Sequence, residues 1–315
     1  MQLRSLGQTN LKVSPLMLGG NVFGWTADQP TSFAILDEFV GAGGNFIDTA
    51  DVYSTWGKGH TGGESETVIG HWFKQSGKRA NIVLATKVGM VMSPEKKGLK
   101  ASYIEQAVED SLRRLQTDYI DLYFSHTDDA ETPLDETLRA YQQLMAKGKI
   151  RAIGASNYTA VRLMEAAALA QQGLPAYRVL QPHYNLAERA DYESLLEPTC
   201  RELGLGVVPY FSLARGFLTG KYRSDADFGK SVRGRGMKPY LNERGFRILA
   251  ALDSVAAACR STPAQVALAW LMARKSVTAP IASATSVAQV RELSGAMTLN
   301  LSAASIADLD QASHS

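Results

Sequence analysis

Short apolar runs alternate with longer amphipathic stretches along almost the whole chain. "LMLGG" (16–20) precedes a helix-like segment from Ser32 to Ala42, and "NFIDT" (45–49) precedes one from Glu64 to Lys74. After "NIVLATKVG" (81–89) comes Ser102 to Leu115, where Ile104, Ala107, Val108, Ser111, Leu112 and Leu115 share one helical face. "YIDLYFSH" (119–126) leads into Leu134 to Ala146, "IRAIGAS" (150–156) into Ala160 to Ala170, and "RVLQPHYN" (178–185) into Tyr192 to Leu203. "GVVPYFS" (206–212) is followed by a polar, glycine-containing stretch from 213 to 242 and then a helix from Arg244 to Cys259. A second helix, Pro263 to Ala273, starts at Thr262-Pro263, a good cap and first-turn pair. "VTAPIAS" (277–283) reads as the last strand, with short helices at 287–294 and 303–311. Ahead of all this, "QLRSL", a turn at Gly7-Gln8-Thr9-Asn10 and "LKVS" predict a β-hairpin.

Strands that alternate strictly with helices imply a parallel sheet, and eight such units fit a closed (β/α)8 TIM barrel of the α/β class. An open doubly wound sheet would call for a G-x-G-x-x-G turn after an early strand, and none is present. No linker or low-complexity segment divides residues 1–315, so a single barrel domain is expected.

Composition narrows the function classes without choosing among them. Apolar residues make up 45%, charged residues 20% and the net charge is +2, so neither nucleic acid nor an acidic membrane is an expected partner. Cys200 and Cys259 lie far apart with no ligand-like spacing, which suits reduced thiols. No apolar run reaches 18 residues, the N-terminus lacks a signal-like core, and the C-terminal "ASHS" is no recognised address. A cytoplasmic protein is the expectation, with the oligomeric state open and leaning to a monomer.

In such a barrel, reactive groups sit at the C-terminal ends of the strands and in the loops that follow. Strand two ends at Asp48 with Tyr53 in its loop, strand three carries Lys87, and strand four ends at His126. Successive strands would bring these four side chains to one patch of the mouth. A phenol with an ordinary pKa of about 10 is a poor acid near neutrality, but a neighbouring ammonium favours its phenolate. Asp48 would keep Lys87 charged and in place, and His126 would orient a carbonyl oxygen. No serine or cysteine is paired with that histidine, and there is no H-E-x-x-H or Cys/His cluster for a metal. The set suits protonation of a carbonyl oxygen while something else delivers hydride to its carbon. Asp51, in the same stretch, reads as a turn residue without a chemical role.

These residues resemble the aldo-keto reductases. "NFIDTADVY" is similar to that family's aspartate–tyrosine segment, "LATKVG" to its lysine strand and "LYFSHTDD" to its histidine strand. "IGASNY" (153–158), "LQPHYN" (180–185) and "PYFSLARGFLTGKY" (209–222) extend the likeness over nearly the whole chain, including a hairpin that closes the barrel bottom. The resemblance implies NADP(H), with NAD(H) not excluded, and a small carbonyl or alcohol as substrate. It implies that Ser156, Asn157 and Gln181 hold the nicotinamide carboxamide, with Tyr210 stacked on the ring. Gly20 and Asn21 would also face the cofactor. Phe211, Ser212, Leu213, Ala214, Gly216, Leu218 and Lys221 would wrap the pyrophosphate. The loop from 221 to 247 holds eight Lys or Arg against three acids, and Arg233 is the expected phosphate contact. Ser283, Thr285, Gln289 and Glu292 fit the adenosine segment. Leu293 replaces its usual asparagine, and Ala284 and Thr285 stand where a basic residue is common. Phe23, Trp25 and Trp56 are expected to wall the substrate pocket. The resemblance extends to potassium-channel β subunits, which leaves a cofactor-binding regulatory subunit as the alternative to a reductase.

Overall fold

An antiparallel hairpin, β1 (Arg4–Ser5) with β2 (Lys12–Val13), opens the chain in the computed structural model, which describes residues 2–232 and 234–314. Eight parallel strands follow: β3 (Met17–Gly19), β4 (Phe46–Asp48), β5 (Val83–Val88), β6 (Ile120–Ser125), β7 (Ile150–Ser156), β8 (Val179–Gln181), β9 (Gly206–Val207) and β10 (Ile281–Ala282). Their order is β10-β3-β4-β5-β6-β7-β8-β9, so sequence neighbours are spatial neighbours. The two end strands also meet. Val207 bridges Val277, Thr278 N donates to Val207 O at 2.8 Å, and Ile281 N donates to Pro209 O at 2.9 Å. The sheet is thus the expected (β/α)8 barrel.

The helices on its outside are α1 (Gln29–Gly41), α2 (Glu64–Ser76), α3 (Ala101–Leu115), α4 (Leu134–Ala146) and α5 (Ala160–Gln171), then α6 (Glu197–Leu203), α7 (Glu243–Cys259), α8 (Pro263–Met272), α9 (Val287–Gly295) and α10 (Ala303–Ser313). The buried face of α3 consists of the six residues its periodicity predicts. Thr262 and Gln265 close a reciprocal cap at the start of α8. One expected helix, 192–203, is divided: a wide turn at Tyr192–Leu196 precedes α6. Pro198 explains the break, because it has no N–H to give the carbonyl four residues earlier. The polar stretch after β9 winds through three tight-turn segments, Ala214–Thr219, Asp225–Lys230 and Gly234–Tyr240.

The core has two layers. An outer layer lies between sheet and helices, and an inner one fills the barrel with Leu6, Val13, Met17, Phe46, Leu122, Phe124, Val179 and Val208 among others. Side chains alternate along a strand, so residues two apart share a face. On β4, Phe46 is in the inner core and Ile47 in the outer, which turns Asp48 inward. The same count carries Val83 and Ala85 to Lys87, and Leu122 and Phe124 to His126. The pleat that fills the barrel also aims three polar side chains along its axis at the mouth.

Candidate active site

Asp48, Tyr53, Lys87 and His126 come together at the C-terminal end of the barrel. Lys87 is fully buried and its Nζ lies 2.6 Å from Asp48 Oδ1. It also donates to the Tyr53 hydroxyl and to Thr49 O, both at 2.8 Å. Three acceptors for three N–H bonds leave this ammonium no freedom to wander. Burial pushes Lys87 down from its ordinary 10.5, while the adjoining Asp48 charge acts in the opposite sense. The Tyr53 hydroxyl donates to Asp48 Oδ2 at 2.8 Å while accepting from Lys87. Gln181 Nε2 fixes the other Asp48 oxygen at 3.0 Å. His126 meets the Tyr53 ring edge-on, with centroids 5.9 Å apart. Burial, and then the Lys87 charge, push its imidazole well below 6.5, so it is neutral at physiological pH. Its Nδ1 is buried with no hydrogen-bond partner.

A cavity of about 450 Å3 opens over this cluster. Asp48, Tyr53 and His126 line it, together with the predicted Asn21, Trp56, Ser156, Asn157, Gln181, Tyr210, Phe211, Ser212, Leu213 and Ser283. A larger hollow of about 1010 Å3 lies between α5 and the barrel bottom near the hairpin turn, and contains none of these residues. The chemistry places the candidate site in the smaller one.

Asn157 does not cap α5, since Thr159 accepts from Arg162 N in that role. Instead Asn157 adopts φ +56°, donates through Nδ2 to His126 O at 2.8 Å, and accepts from the Tyr210 hydroxyl at 2.9 Å. Ser156 Oγ donates to Gln181 O at 3.0 Å. Hydroxyl and amide groups thus converge beside an aromatic ring, the donor and acceptor set that a carboxamide on a flat ring requires. The residues present fit a nicotinamide.

Other expected residues sit elsewhere. Gly20 is buried beneath the mouth, its N donating to Asp48 O at 2.7 Å. Ala214 and Leu218 are fully buried in the outer core, Gly216 lies between them at φ +109°, and Lys221 is exposed; none of the four lines the cavity. Thr285, just before α9, and Gln289 and Glu292 within it lie beyond the cavity, and Gln289 Oε1 accepts from Thr285 N at 2.8 Å. Arg233 lies outside the described residues. Phe23 departs from expectation: it is fully buried in the outer core and is not part of the pocket wall. The "NVFG" turn folds it inward against the barrel. Trp25 is also off the wall, but it meets the half-exposed Trp56 edge-on at 5.7 Å. Residues not expected from the sequence also line the cavity: Met90, Thr127 and Arg215, with Gly19, Val52, Ile281 and Ala282. Met90 and Thr127 each lie two residues past a strand end, those of β5 and β6, a position that signals the mouth of any such barrel.

Asp51 is more than a turn residue. Its Oδ1 accepts from Val52 N at 2.6 Å, but its Oδ2 is buried with no partner. Glu66 lies in the same region, bonded to Thr86 at 2.5 Å and paired with Arg114 at 2.7 Å. Burial, and then the charge on Glu66, raise Asp51 from 3.8 to about 8.

Among the described residues no helix is long and apolar enough to cross a membrane, and no cluster of potential ligands for a metal ion is present. The family described as "Aldo/keto reductase family" matches residues 15–314. The uncharacterized oxidoreductase YrpG of Bacillus subtilis is 38% identical, over 96% of this chain and 92% of its own length. The aldo-keto reductase yakc [NADP(+)] of Schizosaccharomyces pombe is 34% identical, over 91% of this chain and 83% of its own. A probable voltage-gated potassium channel subunit beta of Arabidopsis thaliana is 33% identical, over 93% and 90%.

Proposed function

The chain belongs to the aldo/keto reductase family, and we propose that it is an NADP(H)-dependent reductase of aldehydes or ketones with Tyr53 as proton donor. The observation that carries this reading is the contact of the Tyr53 hydroxyl with Lys87 Nζ at 2.8 Å, inside a cavity that also holds a neutral histidine.

When bound, NADPH would supply the hydride for the carbonyl carbon. The residues of this chain do the rest. Ser156, Asn157 and Gln181 would hold the carboxamide, and Tyr210 would offer its ring face to the nicotinamide. Ser212 and Leu213, which line the same cavity, would meet the pyrophosphate. NADP as the preferred form draws support from the bracketed cofactor in the name of the yeast relative. His126, neutral and thus carrying one N–H, donates to the carbonyl oxygen and polarises it. As negative charge gathers on that oxygen, Tyr53 turns its proton from Asp48 to the substrate. The phenolate left behind sits against the Lys87 ammonium, and Asp48 keeps that ammonium charged in a buried setting.

Tyr53→Phe tests the assignment. A positioned general acid contributes about 10²- to 10⁴-fold, so aldehyde turnover should fall by about that factor with NADPH affinity retained. Undiminished kcat in the variant would refute the proton-donor role. The likeness to channel β subunits supports a second reading, a regulatory subunit with little turnover. The same assay separates the two: multiple turnovers by the purified wild-type protein favour the reductase, and tightly retained cofactor with negligible turnover favours the subunit.

A further inference from the structure

Tyr210 is the platform on which the proposed nicotinamide site depends, and its ring is held from behind. The His183 imidazole lies nearly parallel to it, with centroids 5.3 Å apart and planes 11° from one another. Phe211 meets both rings edge-on, at 5.5 Å from His183 and 5.1 Å from Tyr210. The backbone ties the pair together as well: Tyr210 N donates to Pro182 O at 2.9 Å, and His183 bridges Tyr210 in parallel. Asn185 Nδ2 donates to Phe211 O at 3.0 Å, fixing a residue that holds a left-handed φ of +51°.

Behind this stack lies a second hollow of about 240 Å3, with Tyr158, Pro182, His183 and Asp191 in its lining. Asn157 and Tyr210 line both this hollow and the active-site cavity, so they form the partition between the two. A partition with empty space on each side keeps its orientation only if something braces it. The hydroxyl end of Tyr210 is held by Asn157 at 2.9 Å, and the ring by His183.

We infer that His183 is a positioning residue for Tyr210: the stacked imidazole fixes the plane of the phenol ring, so that its opposite face meets the nicotinamide. The inference rests on the proposed role of Tyr210. Without the imidazole, the ring is free to tilt into the hollow behind it, and the face presented to the cofactor is lost. The imidazole is suited to the task because it stays uncharged near neutrality. Burial lowers it from its ordinary value, and Arg215 adds to that effect against the opposing pull of Glu188 and Asp191. A neutral ring stacks on a phenol without dragging a hydration shell into the partition.

The test is a fluorescence titration of NADPH into wild type and into His183→Ala, His183→Gln, His183→Phe and Tyr210→Ala. An aligned aromatic pair contributes enough to shift a dissociation constant about three- to tenfold, and that increase is expected for His183→Ala and His183→Gln. His183→Phe, which keeps a flat ring, should return the constant to within about twofold of wild type, a rescue that a purely polar role would not give. Two variants without the ring guard against one of them failing to fold. If Tyr210→Ala weakens binding while both ring-less His183 variants bind as wild type does, the bracing role is overturned and the platform role of Tyr210 stands. If Tyr210→Ala itself binds normally, the platform role fails and the bracing role with it.

Discussion

Replacing Asp51 by Asn should remove a pH-dependent weakness built into the loop that carries the proton donor. The carboxyl is about 1% exposed, one oxygen has no partner, and its pKa stands at about 8 instead of 3.8. The unfolded chain releases this proton near pH 4, whereas the folded chain keeps it until about pH 8. A raised folded-state value means that the group's contribution is fully present below the unfolded value and is lost as pH climbs through the window up to the folded one. Each tenfold change in acidity corresponds to about 1.4 kcal/mol, so the full window sets a ceiling of about 6 kcal/mol. Local relaxation and entry of water at the ionised carboxylate should reduce what is measured to about 2–4 kcal/mol.

The assay is urea unfolding of wild type and Asp51→Asn at about pH 5 and about pH 8.5. Asn has nearly the shape of the protonated acid and cannot ionise. At about pH 5 the unfolded chain is already mostly ionised, so the variant should lead by no more than about 1.6 kcal/mol there, and its lead should widen to about 2–4 kcal/mol at about pH 8.5. Other groups titrating in this range do so in both proteins and cancel. Parallel pH dependences would refute the reasoning, since they require Asp51 to be ionised already at neutral pH.

Three other substitutions or measurements probe the same neighbourhood. Lys87→Met should lower kcat by about 10²-fold or more, because the phenolate loses its ammonium, and wild-type kcat in that variant would contradict the mechanism. In an NMR titration from about pH 8 to about pH 5.5, His126 should show no protonation, in contrast to an ordinary histidine, which titrates near 6.5; a midpoint in that range would sink the neutral-donor role. Arg114→Ala should cost about 3 kcal/mol in thermal or urea unfolding by leaving the buried Glu66 unpaired, and a loss under about 1 kcal/mol would mean that Glu66 finds another partner.

Legibility from sequence followed the physics of each feature. The strands and helices were readable because the barrel buries them in regular periods, and α3 shows its six-residue face outright. Asp48, Lys87 and His126 were readable for the same reason, since the two-residue alternation that fills the inner core carries each of them to the mouth. Phe23 was misread because it follows β3 at the height of the mouth, yet the turn after Gly20 directs it into the outer core. No periodic pattern encodes that turn. Asp51 and His183 were invisible as functional candidates for a different cause: their importance comes from neighbours distant in sequence. Glu66 and Arg114 set the environment of the first, and Tyr210 stacks on the second.

Backbone strain points to the same place by an independent route. Among the described residues, the non-glycine positions with left-handed φ are Ser54, Gln116, Asn157, Phe211, Ala214, Arg215 and Arg260. Gln116 and Arg260 end α3 and α7, where such a conformation is an ordinary helix stop. The other five all lie in loops that follow strand ends at the barrel mouth. Each costs free energy that a glycine would avoid, about 1 kcal/mol or more per residue. Held-in strain of this kind persists only where surrounding contacts over-determine the backbone. Here the contacts are visible: Ser54 Oγ donates to Phe23 O, Asn157 is fixed by His126 and Tyr210, and Phe211 by Asn185. Phe23, removed from the substrate wall, therefore keeps a part in the site. Its carbonyl anchors the residue next to Tyr53, so the buried turn that defeated the sequence reading helps hold the proton donor in place.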